Sequence, residues 1–328
     1  MGVTDMTSRL ASIVAGGVFP IRFEYDHIES RLPYTIKGMS PHINTIIRDF
    51  AIDVLVTAGA GHAEFPFSGI TSIPIILINI FGQPNRQKNI THQVCISQEV
   101  AKKIAPFVPE EKIKVMYIPS ELPPPETAMW GKELRYSFGI ADNALVLGRV
   151  GRASDDIFDP IGLLAFAKVA HQFPDVHYLI VAPPPRAISL VNELRIPRVH
   201  FHPGSGATKE MWSFYGAMDV LAHFRRDGES FGLNIAQAML AGKPILSHRS
   251  PIWNAHAEYL TPDFSRIAAQ DNVDQYAENI TWIVGEWRAG NVPSIGEKAR
   301  LAGEQLVFIE RHIDRFESYI KEALNTCN

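Results

Sequence analysis

The sequence predicts an α/β protein of two doubly wound domains, each built on a parallel sheet, with the N-terminal domain shortened. Three observations lead there. The chain has 328 residues, about twice the length of one ordinary domain. From residue 51 onward, short runs rich in Val and Ile alternate with helical-looking segments, the order expected of successive βα units. A stretch with four prolines, PSELPPPETAMWG at 119–131, then interrupts the alternation, because proline fits neither a helix interior nor a central strand. The predicted organisation is a first domain over 1–120, a linker over 121–131, a second domain over 132–272 and closing helices over 273–328, the last packing back on the first domain.

In the first half the strand candidates are 52–57 (IDVLVT), 74–81 (PIILINIF), 92–97 (HQVCIS) and 113–118 (IKVMYI). Ser97 is placed to cap a helix running to Ile104. A doubly wound domain normally sets a strand, a turn and a helix before its second strand, so residues 1–50 read about one βα unit short. After the proline cluster come a short helix at 131–138 and strands at 144–150, 177–182, 198–202, 219–224 and 244–248. Helices are expected at 160–172, 186–195, 208–217 and 231–241, the last because Phe231, Ile235, Ala238, Met239 and Gly242 recur at helical spacing. Residues 273–325 carry no strand signal, and Leu306, Ile309, Ile313, Phe316 and Ile320 mark an amphipathic final helix.

Composition narrows the function classes. Apolar residues make up 46% and charged residues 20%, with a net charge of −4, so the chain is globular and a poor nucleic-acid binder. Its two cysteines, Cys95 and Cys327, have no partner at metal-ligand spacing, which argues against structural zinc and a disulfide framework. No run approaches the ~20 apolar residues of a membrane helix, and a cytoplasmic location is the simplest expectation. The sequons at Asn89 and Asn279 would be silent there.

The most informative stretch is DGESFGLNIAQAMLAG at 227–242, directly after a predicted strand. A strand, an acidic–glycine loop and an amphipathic helix bring unpaired N–H groups and a helix dipole to the C-terminal edge of a parallel sheet, where phosphates bind. Glu229 precedes the helix and Gln237 lies roughly 12 Å further along it at 1.5 Å per residue. They could contact the sugar end and the ribose of a nucleotide diphosphate, or serve as a dipole-complementing charge and a solvated helix residue.

This order of strand, Glu-Ser-Phe-Gly-Leu, helix and Ala-Met-x-Ala-Gly-x-Pro-Ile resembles the donor signature of retaining GT-B-fold glycosyltransferases of family 4 (group 1 type). ALVLGRVGR, IKVMYIP and VCISQEVAKKI resemble other segments of that family, and the similarity covers about residues 50–260. The resemblance implies two Rossmann-like domains facing a cleft, a nucleotide-sugar donor held by the second domain, retention at the anomeric carbon, and neither metal nor cofactor. Glu229 matches the first glutamate of the signature; the second position holds Gln237, which keeps a hydrogen-bonding amide but lacks the charge. Gly151 and Arg152 match the Gly-Arg turn that binds the donor diphosphate, while ASDDIFD at 153–159 lacks the lysine that usually follows. Arg225 or Arg226 could replace it, or could be a surface pair neutralised by Asp227 and Glu229. Ser230, Phe231, Gly232 and Leu233 complete the donor loop. In HPGSGATK, Gly204, Ser205 and Lys209 could approach the nucleotide, the alternative being a plain turn capped by Thr208.

On the acceptor side, TAGAGHAEF at 57–65 offers His62 as an acceptor contact or general acid/base, against an ordinary loop histidine. Asn79 stands where the family often carries a histidine. Glu258 is a weaker sugar-side candidate, and His256 and Trp253 read as packing residues. No Asp-x-Asp pair follows a strand; Asp155–Asp156 has the wrong spacing. The expected partners are a nucleotide sugar and an acceptor that is a glycan, lipid, protein or small molecule. A binding protein that has kept the fold and lost catalysis is the competing expectation, favoured by Gln237 and the missing lysine, and a sugar-nucleotide epimerase is a third.

Overall fold

A computed structural model describes Asn44, residues 47–49, 51–63 and 67–325. The expected shortage of a βα unit before residue 51 falls largely outside those residues, as do Cys327 and the Glu64–Phe65 end of the His62 loop. The chain divides into two compact units, one of residues up to Pro119 together with those from Ile309 onward, the other Ser120–Phe308.

The first unit holds β1 (Leu55–Gly59), β2 (Ile75–Asn79), β3 (Ile90–Cys95) and β4 (Ile113–Val115), joined as one sheet in that spatial order. All three pairings are parallel. The described strands of this sheet run in sequential order. Helix α1 (Gln98–Ile104) follows β3, and its cap is Ser97, whose Oγ accepts from the Val100 N–H at 3.1 Å. β2 is buried along its whole length, as its unbroken apolar sequence requires when both faces are covered. Cys95 is buried at the end of β3, and burial pushes its thiol up to about 12, which makes it an inert packing group.

The second unit opens with α2 (Thr127–Ser137), which starts four residues before the helix expected at 131. Only Pro119–Pro125 forms the proline-bearing segment, because proline bars the helix interior but not the residues just ahead of it. The remaining elements are β5 (Leu145–Val150), α3 (Ile161–Val169), β6 (Val176–Val181), α4 (Pro185–Leu194), β7 (Val199–His202), α5 (Thr208–Ala217), β8 (Val220–Ala222), β9 (Gly228–Glu229), α6 (Leu233–Leu240), β10 (Ile245–His248), β11 (Trp253–Asn254), β12 (Ser265–Ala268), α7 (Val273–Arg288) and α8 (Val292–Val307). Six of these strands form a parallel sheet ordered β12-β10-β8-β5-β6-β7. β12 escaped the sequence analysis because SRIA is short and half polar.

α9 (Glu310–Asn325) belongs to the first unit. Its apolar face buries Phe316, Tyr319 and Ala323 against Ile76, Val94 and Met116. Of the three closing helices grouped by sequence, α7 and α8 thus stay with the second unit and α9 returns to the first. No described helix is long and apolar enough to cross a membrane.

Candidate functional site

The strand order of the second unit reverses at β5, which has β6 on one side and β8 on the other. The chains leaving the carboxyl ends of β5 and β8 run to opposite sides, and the space they vacate is where open α/β sheets hold ligands. Gly151 and Arg152 follow β5, and His223 to Asp227 follow β8. The β8 loop is then returned to the sheet edge by β9, which pairs with β11 through Gly228 opposite Trp253 and Glu229 opposite Asn254. Gly228 has φ +68°, and a Cβ there would sit 1.9 Å from the Trp253 carbonyl. Glycine alone fits so close an approach. Ser250 Oγ donates to the Arg226 carbonyl at 2.8 Å and fastens the same loop from the other side.

α6 begins at Gly232, whose φ of +95° ends the approach from β9 and delays the helix two residues beyond the expected Phe231. Asn234 locks this N-terminus in place. Its Nδ2 donates to the Val150 carbonyl at 2.9 Å, so the helix start is tied to the end of β5. The helix dipole consequently points its positive end at the switch point.

Glu229 lies at the centre of the charges assembled there. Its carboxylate is 3.3 Å from His223 Nε2 and 3.9 Å from an Arg225 terminal nitrogen, with its side chain 13% exposed. Burial raises the carboxyl to about 7, with Asp227 raising it further and Arg225, Arg149 and Arg152 opposing the shift. The same burial, with His256, His248, Arg149 and Arg225 nearby, holds His223 well below the usual imidazole range. Near neutrality the pair is therefore an uncharged imidazole beside a carboxyl group poised between its acid and its anion, not a fixed ion pair. Arg225 is bound bidentately to Asp227 at 2.5 and 2.8 Å. Burial opposes the Arg225 charge, but the hydrogen bond to Asp227 and the nearby Glu229 outweigh it. The Arg225 backbone N–H donates to His248 Nε2 at 3.1 Å, and His248 Nδ1 donates to the Arg249 carbonyl at 2.8 Å. These two bonds fix a single neutral tautomer.

A family model described as glycosyl transferases group 1 matches residues 133–300, half of the chain and nearly all of this unit. The chain belongs to the group 1 glycosyltransferases. A glycosyltransferase from Rickettsia africae ESF-5 is similar in structure with a TM-score of 0.75 at 15% identity, over 98% of this chain and 95% of that one. Anabaena Alr3699/HepE in complex with UDP gives 0.68 at 17% identity, over 87% and 82% of the two chains. WaaG, a glycosyltransferase involved in lipopolysaccharide biosynthesis, gives 0.60 at 15%, over 96% of each. At such identities these likenesses establish the shared GT-B fold. None of the curated proteins matches the chain.

Within this group 1 glycosyltransferase the sequence-nominated residues separate into three sets. Gly151, Arg152, Arg225, Glu229, Ser230, Gly232 and Leu233 surround the switch point as described. Arg152 is exposed and close enough to Glu229 to lower its pKa. Phe231 is only 1% exposed, its ring centroid lies 5.8 Å from that of Tyr259 in a tilted arrangement, and its carbonyl accepts from the Tyr259 hydroxyl, so its ring is a wall of the loop. Arg226 is exposed and uses its backbone to hold the loop.

Gln237 and the 203–209 loop form the second set. The Gln237 carbonyl accepts from the buried Tyr215 hydroxyl at 3.0 Å, and its amide lies 3.6 Å from Met211 Sδ, so α5 holds both ends of the side chain. Gly204, at φ +88°, donates to His202 Nδ1, and Ser205 Oγ accepts from the Ala207 N–H. The expected Thr208 cap is corrected: Ala207 is the cap and Thr208 the first helical residue. Lys209 Nζ sits 5.7 Å from the Trp130 ring centroid.

The third set is in the first unit. His62 is exposed. Asn79 is fully buried, donates to the Gln83 carbonyl at 2.8 Å and to Gln93 Oε1 at 3.3 Å, and accepts from the Gly82 N–H at 2.8 Å. Its amide fastens the β2 loop. Glu258 is exposed, while His256 and Trp253 are buried as packing residues. Asp155 accepts from the Arg186 N–H at the start of α4, and the described residues contain no cluster of three metal-ligating side chains.

Arg149, His223 and Asn234 escaped the sequence analysis. Arg149 did leave a signal, an arginine inside the apolar run ALVLGRV. Nothing in DVLAHF distinguishes His223 from a core histidine, and Asn234 looks like any residue of a first helical turn.

Proposed function

We propose that this glycosyltransferase transfers a sugar from a nucleoside-diphosphate donor with retention of anomeric configuration, without a metal ion or other cofactor. The observation that carries the proposal is the convergence of Glu229, His223, Arg225 and the glycine-started α6 at the carboxyl ends of β5 and β8. Structures of Anabaena HepE with UDP and with UDP-glucose support a uridine nucleotide as the first donor to test.

The charges assign the roles. Arg152 and the α6 N-terminus would receive the diphosphate and offset the charge that grows on it as the glycosidic bond breaks. Glu229, as its carboxylate, would accept hydrogen bonds from the donor sugar and hold it in line for attack. Arg225, clamped by Asp227, would set the position of Glu229. Fixed cations supply the charge neutralisation otherwise provided by a divalent ion, so EDTA should leave turnover intact. On the first unit, His62 is the proposed acceptor contact, and His62→Ala should raise acceptor KM while leaving donor affinity unchanged.

Calorimetric titration with UDP, GDP, ADP and their sugar conjugates tests the donor assignment, and NMR of the product anomer tests retention. Binding of one diphosphate that is abolished by Arg152→Ala supports it. Folded protein that binds none of them refutes it. The capture of Gln237 by Tyr215 favours a second reading, a nucleotide-sugar-binding protein without transferase activity; tight donor binding with no transfer to any acceptor would decide for it.

A further inference from the structure

Arg149 is the most unusual charge in the second unit. It projects from the last turn of β5, is 1% exposed, and is the largest fully buried side chain among the described residues. Its Nε has no hydrogen-bond partner, and one terminal nitrogen makes only a long contact to the Ala182 carbonyl at 3.5 Å. The guanidinium lies 5.3 Å from the Phe224 ring centroid. It also lies directly against Gly151, where an added Cβ would come within 2.6 Å of Cζ. No acid pairs with it directly. A buried, under-bonded cation is costly unless something nearby uses its charge.

Two groups can use it. Glu229 is the acid whose field reaches Arg149, and the two stabilise each other's charged forms. The other is whatever anion occupies the Gly151–Arg152 turn, since only a glycine backbone separates that turn from the guanidinium. We propose that Arg149 is a positioning residue of the donor site, a buried cation that keeps Glu229 charged and draws the donor diphosphate onto the Gly151 turn from beneath. This rests on the donor-site assignment above. Arg149 acts through its field and through Glu229, without touching the sugar.

The surroundings make the coupling testable. Glu229 is faced by His223, Arg225 and Asp227 from the β8 loop, by Arg149 and Arg152 from β5 and its turn, and by the buried Tyr215 of α5. Arg149 is faced by Tyr178 of β6 as well as by Glu229 and Arg225. Of these cations, Arg149 is the one that is fully buried and still has no short bond of its own.

The test is a 13C NMR titration of the Glu229 carboxyl in unliganded protein, wild type against Arg149→Met and Arg149→Lys, together with UDP affinity by calorimetry. Arg149→Met should move the Glu229 midpoint upward by about one pH unit and weaken UDP binding about tenfold. Arg149→Lys, which restores the charge, should reverse most of both changes. A Glu229 midpoint that stays in place in Arg149→Met overturns the proposal, whether or not UDP binds. A shifted midpoint in a protein whose wild type ignores UDP supports the Arg149–Glu229 coupling and refutes the donor assignment alone. Should Arg149→Met fail to fold, the wild type still decides. The Arg149 Nε–H resonance should shift on saturation with UDP, and an unmoved resonance in protein that binds UDP overturns the proposal.

Discussion

The two units finish their parallel sheets in opposite ways. In the first, the carboxyl end of β2 is closed by neutral amides: Asn79 donates to Gln93 Oε1, and the two side chains bond to the Gln83, Asn85 and Gly82 backbones. In the second, the carboxyl ends of β5 and β8 hold Arg149, His223, Arg225 and Glu229, with charges that are under-bonded or balanced by another charge. Among the described strands, β2 lies between β1 and β3, and the polar groups at its end satisfy one another. The reversal at β5 instead gathers charged groups around a switch point. The contrast teaches that unsatisfied burial, more than residue type, marks the functional edge.

Substitutions should separate the two edges. The largest expected effect is that of Glu229→Gln, and it depends on pH. The folded carboxyl titrates near 7 because burial raises it, while an unfolded glutamate titrates near 4.3. The folded state thus holds the extra proton between those values, and stability falls as pH rises through that window. Removing the group should stabilise the protein by about 3 kcal/mol at pH 8 relative to pH 4, as read from urea unfolding at both pH values, and should abolish turnover. Equal changes at the two pH values would mean that folding does not raise the Glu229 carboxyl.

Asn79→Ala should do the reverse, costing about 2 kcal/mol of stability from stranded buried partners with no change in donor affinity. A fall in UDP affinity in a folded Asn79 variant would erase the distinction between the edges. The smallest effect is expected at Gln237, where Gln237→Met removes the acceptor of the Tyr215 hydroxyl and should cost about 1 kcal/mol. Gln237→Glu sharpens the comparison further. A tenfold gain in donor affinity would make this position a weakened donor contact, and an unchanged affinity would leave it a strut between α5 and α6.

Much of this was legible in the amino-acid order. Val/Ile runs located nine of the ten strands in the two larger sheets to within a few residues, and Ser97 capped α1 as its position demands. Glu229 and Gly232 were readable because an acidic–glycine loop between a strand and a helix has few uses. The acceptor-side nomination of Asn79 rested on its place at the end of a strand, which says nothing about which backbone groups lie within reach. The same limit hid His223 and Asn234, whose side chains look ordinary until Val150 and Glu229 are brought beside them.

What the sequence determined alone is therefore whatever depends on neighbours a few residues away: hydrophobic period, caps, proline breaks and left-handed glycines. These follow from local sterics and backbone hydrogen bonding, which the chain carries with it wherever it folds. The tertiary structure decided the electrostatics. Arg149 and Glu229 are eighty residues apart in the sequence, and Tyr215 meets Gln237 across two helices. Their properties arise from desolvation and from charges set beside them by packing, and no local pattern encodes how much water a side chain will lose.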